Sequence, residues 1–333
     1  MIRCADNMHN LARYLIFFQY IGTRYRGATK VPSHQHDRKG VQDHLEDAIR
    51  RLRPNNPVSL SVSSRTDSGV HALSNSAHFD LQRMKDKPPF TEDVLVEALN
   101  YHLRTEQIRV THAHRVPDNF HARHRAQSRT YIYRIALGFS KQSLLPLTDC
   151  ELCWNLSNME LDVEAMHKAA AMLVGTHDFS SFRAISTDTP FKSPVKTLDV
   201  VDIQPGSSFA SAHFHREIPF WELKFQSRSF LYKQVRRMTG ALVAVGQRRL
   251  SVPQLRDIME ARDSLIYPKC LAAPANGLFL ARVDYREEGK QVRQNRFSKA
   301  PTSQLSFNTE KNIVCIRRQE MYSRIMLLGT LQA

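Results

Sequence analysis

Apolar residues recur along this chain at two spacings. Alternation of apolar and polar positions over short runs predicts half-buried strands, and apolar positions every three or four residues predict amphipathic helices. Strands are predicted over residues 13–21, 58–63, 77–81, 108–114, 129–137, 195–203, 221–226 and 278–284. Helices are predicted over residues 41–52, 91–103, 163–173 and 230–245, with a shorter helix after residue 253.

Strands and helices follow one another in mixed order, and the alternation occurs twice. At 333 residues the chain is also longer than one compact core usually supports. Both features predict an α+β protein with two related halves and a cleft between them. We predict an N-terminal extension over residues 1–12, an N-terminal half over 13–150, a C-terminal half over 151–285 and a basic, flexible tail over 286–333.

The chain is strongly basic. It has 47 Lys and Arg residues against 32 Asp and Glu residues, a net charge of +15 at pH 7. This excess indicates a large anionic partner, for which a phosphate backbone is the commonest source. Because no apolar run approaches the roughly 18 residues of a membrane span, we expect a soluble intracellular protein without membrane contact. The first residues carry Arg3 and Arg13 but also Asp6, so mitochondrial targeting stays open.

The five cysteines do not form a recognisable framework. Their odd number and wide scatter indicate reduced thiols. Cys150 and Cys153 form a CxxC pair, but neither a second pair nor histidines follow at zinc-ligand spacing. The sequence therefore predicts no metal site.

The most informative segment is Ser-Arg-Thr-Asp-Ser-Gly-Val-His-Ala at residues 64–72. It sets Arg65 two residues before Asp67 in a sequence that favours a turn. One interpretation is a surface turn in which these two side chains form an exposed ion pair. The alternative is a reactive carboxylate with an arginine beside it.

Basic and aromatic residues are interleaved over residues 120–134, where Phe-His-Ala-Arg-His-Arg-Ala is followed by Ser-Arg-Thr-Tyr-Ile-Tyr-Arg. Such a pattern suits a nucleic-acid site, because cations hold phosphate while a ring stacks on an extruded base. The alternative is that Tyr131 and Tyr133, on one face of a strand, are core residues.

The predicted long helix contains Ser-Phe-Leu-Tyr-Lys-Gln-Val-Arg-Arg-Met at residues 229–238. Its apolar stripe leaves Tyr232, Arg236 and Gly240 at fourfold spacing on a different face. By itself, Arg236 is compatible with an ordinary solvated cation.

These segments, in this order, resemble the TruA-type tRNA pseudouridine synthases. The nucleophile loop of that family reads Gly-Arg-Thr-Asp-Ala-Gly-Val-His-Ala, and here Ser64 and Ser68 replace its first Gly and its Ala. Its Phe-His-Ala-Arg, Arg-x-Tyr-x-Tyr and Phe-x-x-x-x-Val-Arg segments also match, as do residues 175–182 and the Ala-Pro-x-x-Gly-Leu of residues 273–278. The likeness is greatest to the animal pseudouridine synthase-like 1 branch, which is associated with mitochondria.

The resemblance implies two mixed α/β halves with antiparallel sheets joined around a central basic active-site cleft. It also implies isomerisation of uridine to pseudouridine in RNA, with the tRNA anticodon arm as substrate and no cofactor. Three residues are predicted to be catalytic: Asp67, Arg65 and Arg236. Three are predicted to bind the substrate: Tyr131, which would stack on the uracil, Leu278 and His71. Four are predicted to bind RNA: Arg123, Arg125, Arg129 and Lys233.

The implied reaction breaks the bond between uracil N1 and ribose C1′ and joins C5 to C1′, with no change in oxidation state. A carboxylate suits this chemistry, either as nucleophile at the sugar or as the base that starts an elimination. Burial would favour the neutral form of Asp67, whereas a guanidinium beside it favours the charged form. Our hypothesis is that Arg236, helped by Arg65, keeps Asp67 charged.

Two other functions are compatible with parts of the sequence. One is a catalytically inactive RNA-binding protein on a synthase scaffold, because Ser68 and residues 25–29 depart from the family, which often has Phe-x-Gly-Trp-Gln there. The other is a hydrolase using Ser63 or Ser64 with His71 and Asp67, although no GxSxG segment supports it. The resemblance also suggests a homodimer and a mitochondrial location, with cytoplasm or nucleus as alternatives.

Overall fold

The structure is a computed structural model that describes residues 11–31, 38–84, 87–141, 144–157, 160–185, 193–208, 218–287 and 290–292. The N-terminal extension lies outside these residues except for its last two positions. The predicted tail lies outside them from residue 293 onward.

Every helix and strand predicted from the apolar pattern is present in the structure. The strands are β1 (Leu11–Tyr20), β2 (Ser61–Val62), β3 (His71–Gln82), β4 (Ile108–Val116), β5 (Ala126–Leu137), β6 (Trp154–Leu156), β7 (Gly175–Asp178), β8 (Val195–Gly206), β9 (Phe220–Ser227), β10 (Leu278–Glu287) and β11 (Lys290–Val292). The helices are α1 (Val41–Arg51), α2 (Glu92–His102), α3 (Val163–Leu173), α4 (Gln234–Gly246) and α5 (Val252–Glu260). The short strands β6, β7 and β11 were not predicted.

All these strands belong to one sheet, whose main path runs β4-β1-β3-β10-β5-β9-β8-β7. Most neighbours pair antiparallel, as in the ladders of β1 with β3 and of β5 with β9. Strand β10 lies between β3 and β5 and pairs parallel with β3 at the positions Phe279↔His71 and Leu280↔Ala72. The predicted α+β fold is confirmed, and the antiparallel strands of its two halves are continuous through β10.

Local signals set several element boundaries. The Asp162 carboxylate accepts a hydrogen bond of 3.0 Å from the Ala165 amide and so caps α3. In α5, Ser251 and Gln254 form a reciprocal capping box. Strand β2 is shorter than predicted, because the backbone of Leu60 is hydrogen-bonded to the side chains of Gln42 and Glu46 in α1.

Helix α4 begins later and is buried more completely than the sequence predicts. Lys233 has a left-handed backbone with φ of 57°, so the helix begins at Gln234 and Tyr232 precedes it. All of its residues apart from Arg236 and Arg237 are buried, as expected for a helix that is enclosed on most sides. Gly240, which the spacing places on a different face from the apolar stripe, is also buried, and a Cβ there would lie 1.6 Å from the Leu271 carbonyl oxygen.

The predicted tail begins too early in the sequence. Strand β10 continues through Glu287, and β11 pairs antiparallel with its end. Polar composition suggested a flexible segment here, but backbone hydrogen bonds between strands form whatever the side chains are.

We predict that Gly240→Ala lowers the free energy of unfolding by about 3 kcal/mol, because overpacking against backbone allows little relaxation. Gly246→Ala is the matched control in the same helix. A Cβ there would meet side-chain atoms rather than backbone, Met166 Sδ at 2.5 Å and Cγ at 3.0 Å. Gly246→Ala should lower the free energy of unfolding by less than about 1 kcal/mol, because alanine favours the helix. Urea unfolding measures both, and equal losses would contradict this packing.

Candidate active site

The segment that carries Asp67 is a tight turn between β2 and β3. The Val70 amide donates to the Asp67 carbonyl oxygen at 3.2 Å, and Gly69 has a φ of +79°, which glycine adopts readily. Behind the turn, the Ala28 amide donates to the Thr66 carbonyl oxygen at 3.1 Å. A Cβ on Gly27 would lie 2.5 Å from that same oxygen. The backbone of the Asp67 turn is thus held in contact with another chain segment.

Asp67 is paired with Arg236. Their Oδ2 and Nη1 atoms are 3.2 Å apart, and the two side chains are 22% and 16% exposed. The same guanidinium donates through Nε to the Ala273 carbonyl oxygen at 2.7 Å, which fixes its direction. The predicted proximity of Arg236 to Asp67 is therefore observed. Arg237 instead donates to the carbonyl oxygens of Ser181 and Arg183.

Arg65 lies on the cavity wall rather than against the carboxylate. It is exposed, and the described residues show no ion pair between it and Asp67. The exposed Arg65–Asp67 pair considered from the sequence is thus not observed. Burial lowers the pKa of Arg123, and the nearby charge of Arg65 lowers it further. Arg65 is therefore close enough to Arg123 for the two cations to repel.

Tyr131 and Leu278 both line the cavity that contains Asp67. Tyr131 is 7% exposed, and its ring meets Phe230 edge to face with centroids 5.2 Å apart. Burial raises the pKa of Tyr131 above its ordinary value, so its hydroxyl stays protonated. Tyr133 is fully buried and donates to the Pro274 carbonyl oxygen, so the core interpretation applies to this tyrosine.

His71 does not line the cavity. It is fully buried, its Nδ1 accepts from the Gly22 amide at 2.9 Å, and its Nε2 lies 3.1 Å from the Asn276 carbonyl oxygen. Burial lowers the pKa of His71, which favours a neutral ring with its proton on Nε2. The prediction that His71 contacts the substrate does not fit this geometry. The ring instead ties the end of the Asp67 turn to two neighbouring segments.

The cavity has a volume of about 1070 Å³ and takes its lining from both predicted halves of the chain. Its lining contains nine basic side chains: Arg26, Arg65, Arg123, Arg129, Arg183, Lys196, Arg228, Lys233 and Arg236. Among the lining residues that the structure describes, Asp67 is the one carboxylate. Such a surface attracts polyanions and concentrates them at the carboxylate.

The predicted RNA-binding residues differ in their positions. Arg123 and Lys233 line the cavity, whereas Arg125 is exposed outside its lining. Arg129 lines the cavity, but it is buried and its guanidinium donates to protein oxygens. Four cations of the lining were not predicted from the sequence: Arg26, Arg183, Lys196 and Arg228. They come from separate loops and strand ends, so no local pattern groups them.

Three histidines support the segment that carries Arg123. His78 Nδ1 accepts from the Ala122 amide at 3.1 Å. Its ring lies 4.6 Å from that of His121, which in turn lies 4.3 Å from that of His124. Burial and the charge of His121 lower the pKa of His78 to about 4. His78 is therefore neutral at physiological pH.

Within the described ranges, no group of three or more His, Cys, Asp or Glu residues could hold a metal ion. Burial raises the pKa of the Cys153 thiol to about 12, so this member of the CxxC pair is protonated. Among the same residues, no helix combines the length and the apolar character that crossing a membrane requires.

Comparison with known proteins identifies sequences similar to nearly the whole described chain. The profile of a family described as tRNA pseudouridine synthase matches residues 16–124 and 169–286. A tRNA pseudouridine synthase-like 1 from Xenopus laevis is 49% identical over 296 residues, which cover 89% of this chain and 97% of that protein. The human protein of the same name is 50% identical over 280 residues, covering 84% and 91%. A tRNA pseudouridine synthase A from Afipia carboxidovorans is 38% identical over 275 residues, covering 83% and 100%.

We predict that acid destabilises this protein in part through His78. The pKa of His78 is about 4 in the folded state but about 6.5 in an unfolded chain. The unfolded state therefore binds the proton first, and stability falls as the pH drops from about 7 towards 4. Between pH 7 and pH 5 the loss should be about 1 to 2 kcal/mol.

His78→Gln keeps an acceptor for the Ala122 amide but does not titrate in this range. Urea unfolding of this variant should therefore depend less on pH than unfolding of the parent protein. The same pH dependence in both proteins would exclude this role for His78.

Proposed function

Because the chain belongs to the tRNA pseudouridine synthase family and is an isomerase, we propose that it converts uridine to pseudouridine in tRNA, with Asp67 as its essential carboxylate. The observation that carries the proposal is the Asp67–Arg236 pair inside a cavity lined by cations. Tyr131 and Leu278 line the same cavity. The family resemblance further suggests uridines of the anticodon arm as the targets.

The reaction needs a charged carboxylate beside ribose C1′. Asp67 acts either by attacking C1′ or by removing a proton to start an elimination. In both cases the bond between uracil N1 and ribose C1′ breaks. After uracil has turned, C5 joins C1′, which releases the bond to Asp67 or returns the proton that Asp67 removed. The proton on C5 leaves and N1 takes up a proton, so the net change is an isomerisation. The balance requires no oxidant or reductant.

Arg236 holds the Asp67 carboxylate in place. Its Nη1 lies 3.2 Å from Asp67 Oδ2. Because the Ala273 carbonyl also holds the guanidinium, the pair is oriented before substrate arrives. Arg65 makes no such contact with Asp67, so we propose that its charge acts on the RNA rather than on the carboxylate.

The target base needs a place outside the RNA stack. Extruding a nucleotide costs a few kcal/mol, and stacking on one aromatic ring returns about 1 to 3 kcal/mol. Tyr131 offers a ring whose position is fixed by Phe230, and Leu278 offers an apolar contact in the same cavity. We propose that these two side chains hold the uracil during the reaction.

The two serines that depart from the family pattern are accommodated in the loop. Ser64 Oγ accepts from Arg129 Nε at 3.0 Å, and Ser68 Oγ donates to the Tyr25 carbonyl oxygen at 3.2 Å. Neither hydrogen bond involves the Asp67 carboxylate. The inactive RNA-binding alternative therefore gains no support from these substitutions, and it becomes one outcome of the experiment below. A mitochondrial location and a homodimer stay predictions from the resemblance.

We predict that Asp67→Asn lowers the rate of tritium release from tRNA labelled at uridine C5 by at least about 1000-fold, because the reaction loses its carboxylate. Asp47→Asn is the control, since Asp47 lies on α1, is 38% exposed and pairs with Lys39 and Arg50. It should react at the parent rate. Mapping the modified uridines in the same reactions tests whether the targets lie in the anticodon arm.

Full tritium release by folded, RNA-binding Asp67→Asn would refute the assignment of Asp67. Tight tRNA binding without release by the parent protein would instead favour the RNA-binding alternative.

We predict that Tyr131→Phe keeps most of the affinity for substrate tRNA, because it retains the ring. Tyr131→Ala should weaken binding by roughly 5- to 100-fold, equivalent to the loss of one stacked base. Tyr101→Ala is the control, since Tyr101 is 62% exposed and absent from the cavity lining. Filter binding at fixed salt measures the affinities. Equal affinity in the parent and both Tyr131 variants would remove the stacking role.

A further inference from the structure

Arg129 is a buried cation that has no acidic partner among the described residues. It is 8% exposed. Its Nε donates to Ser64 Oγ at 3.0 Å, and its Nη2 donates to the carbonyl oxygens of Ser63 at 3.1 Å and Arg123 at 3.0 Å. Its Nη1 donates to the carbonyl oxygen of Arg228. Burial lowers the pKa of Arg129, as expected for a charge bonded only to neutral acceptors.

These four acceptors come from three separate segments around the cavity. Ser63 and Ser64 begin the turn that carries Asp67. Arg123 and Arg228 belong to loops on either side, and their own side chains line the cavity. One guanidinium therefore fixes the Asp67 turn relative to two cations that can meet RNA.

The hydrogen bonds leave Arg129 little capacity to bind phosphate. A guanidinium has five N–H donors in a rigid fork, and protein atoms take four hydrogen bonds from this one. A lysine at this position would keep the charge but has only three donors on one nitrogen and cannot span the same acceptors. The site therefore depends on the number and geometry of the guanidinium donors, not on the positive charge alone.

We infer that Arg129 is a positioning residue, which sets the Asp67 turn and the cavity cations Arg123 and Arg228 relative to one another without contacting RNA. The inference rests on the proposed function, because the positioned group is the Asp67 carboxylate. It replaces the direct RNA contact that the sequence predicted for Arg129.

Charge-retaining and charge-removing variants distinguish positioning from phosphate contact. Arg129→Lys should lower the single-turnover rate of tritium release at saturating protein by about 10- to 100-fold. Both Arg129→Lys and Arg129→Gln should keep the parent's slope of log affinity against log salt. The comparison variant Arg123→Gln should lower that slope by about 0.7 to 0.9, the value for one lost phosphate contact. The control Arg50→Lys, on α1, should react at the parent rate.

A second variant tests the same hydrogen bonds should Arg129→Lys fail to fold. Ser64→Ala removes the acceptor of Arg129 Nε without changing any charge. It should slow single turnover by about 3- to 10-fold and leave the apparent KM and the salt slope unchanged. Parent rates in both Arg129→Lys and Ser64→Ala would overturn the inference, as would a slope lowered by about one contact in Arg129→Gln.

Hydrogen exchange gives a readout that does not depend on activity. The amides of Ser63 and Val70 are hydrogen-bonded to Ser76 and Asp67. In Arg129→Lys or Ser64→Ala, the peptide over residues 63–70 should exchange several-fold faster, while β1 exchanges as in the parent. Unchanged exchange over 63–70 would overturn the positioning role even if the parent released no tritium. Absence of release by the parent would count against the proposed function alone.

Discussion

The insertion of β10 between β3 and β5 is the constraint on which the active site depends. Its parallel contact with β3 is short, yet it begins at His71, directly after the Asp67 turn. Because β10 begins at Leu278, the residues just before it, 271–277, must pass close to that turn. They supply the Ala273 carbonyl that holds Arg236 and the Asn276 carbonyl that faces His71. A late strand in the chain thus completes a site whose carboxylate comes from an early turn.

The described wall of the cavity carries far more positive than negative charge. Asp67 is the one carboxylate among the lining residues that the structure describes, and Arg65 and Arg123 repel one another. This repulsion destabilises the free protein, and binding of an anion relieves it. Arg129 is repelled in the same way by Arg123 and Arg228, and its hydrogen bonds to neutral oxygens offset part of that cost. The free protein is thus electrostatically prepared for a polyanion, while the Asp67 carboxylate is already paired with Arg236.

Sequence reasoning succeeds here where local rules decide the structure. The strand over residues 129–137 and the helix over residues 163–173 were predicted from spacings within a few residues, and both are observed, as β5 and α3. It fails where distant parts of the chain supply the hydrogen bonds. Strand β2 begins later than predicted because α1 side chains bond to Leu60, and the Arg129 guanidinium donates to protein oxygens because three chain segments converge on it. The Asp67–Arg236 contact joins residues 169 positions apart. It could be expected only from the family motifs. No periodicity could have predicted it.

The close contact behind the Asp67 turn affects how this protein can change its choice of RNA. Residues 25–29 depart from the family pattern, and Arg26 from this segment lines the cavity. The backbone beside it is not free to move, because Gly22 and Gly27 lie against Val70 and Thr66 at distances that leave no room for a side chain. Evolution can therefore exchange the outward side chains of this segment to suit a new RNA surface. A shift of its backbone by even one residue would displace the Asp67 turn, so RNA recognition can diversify only through side chains on a fixed backbone.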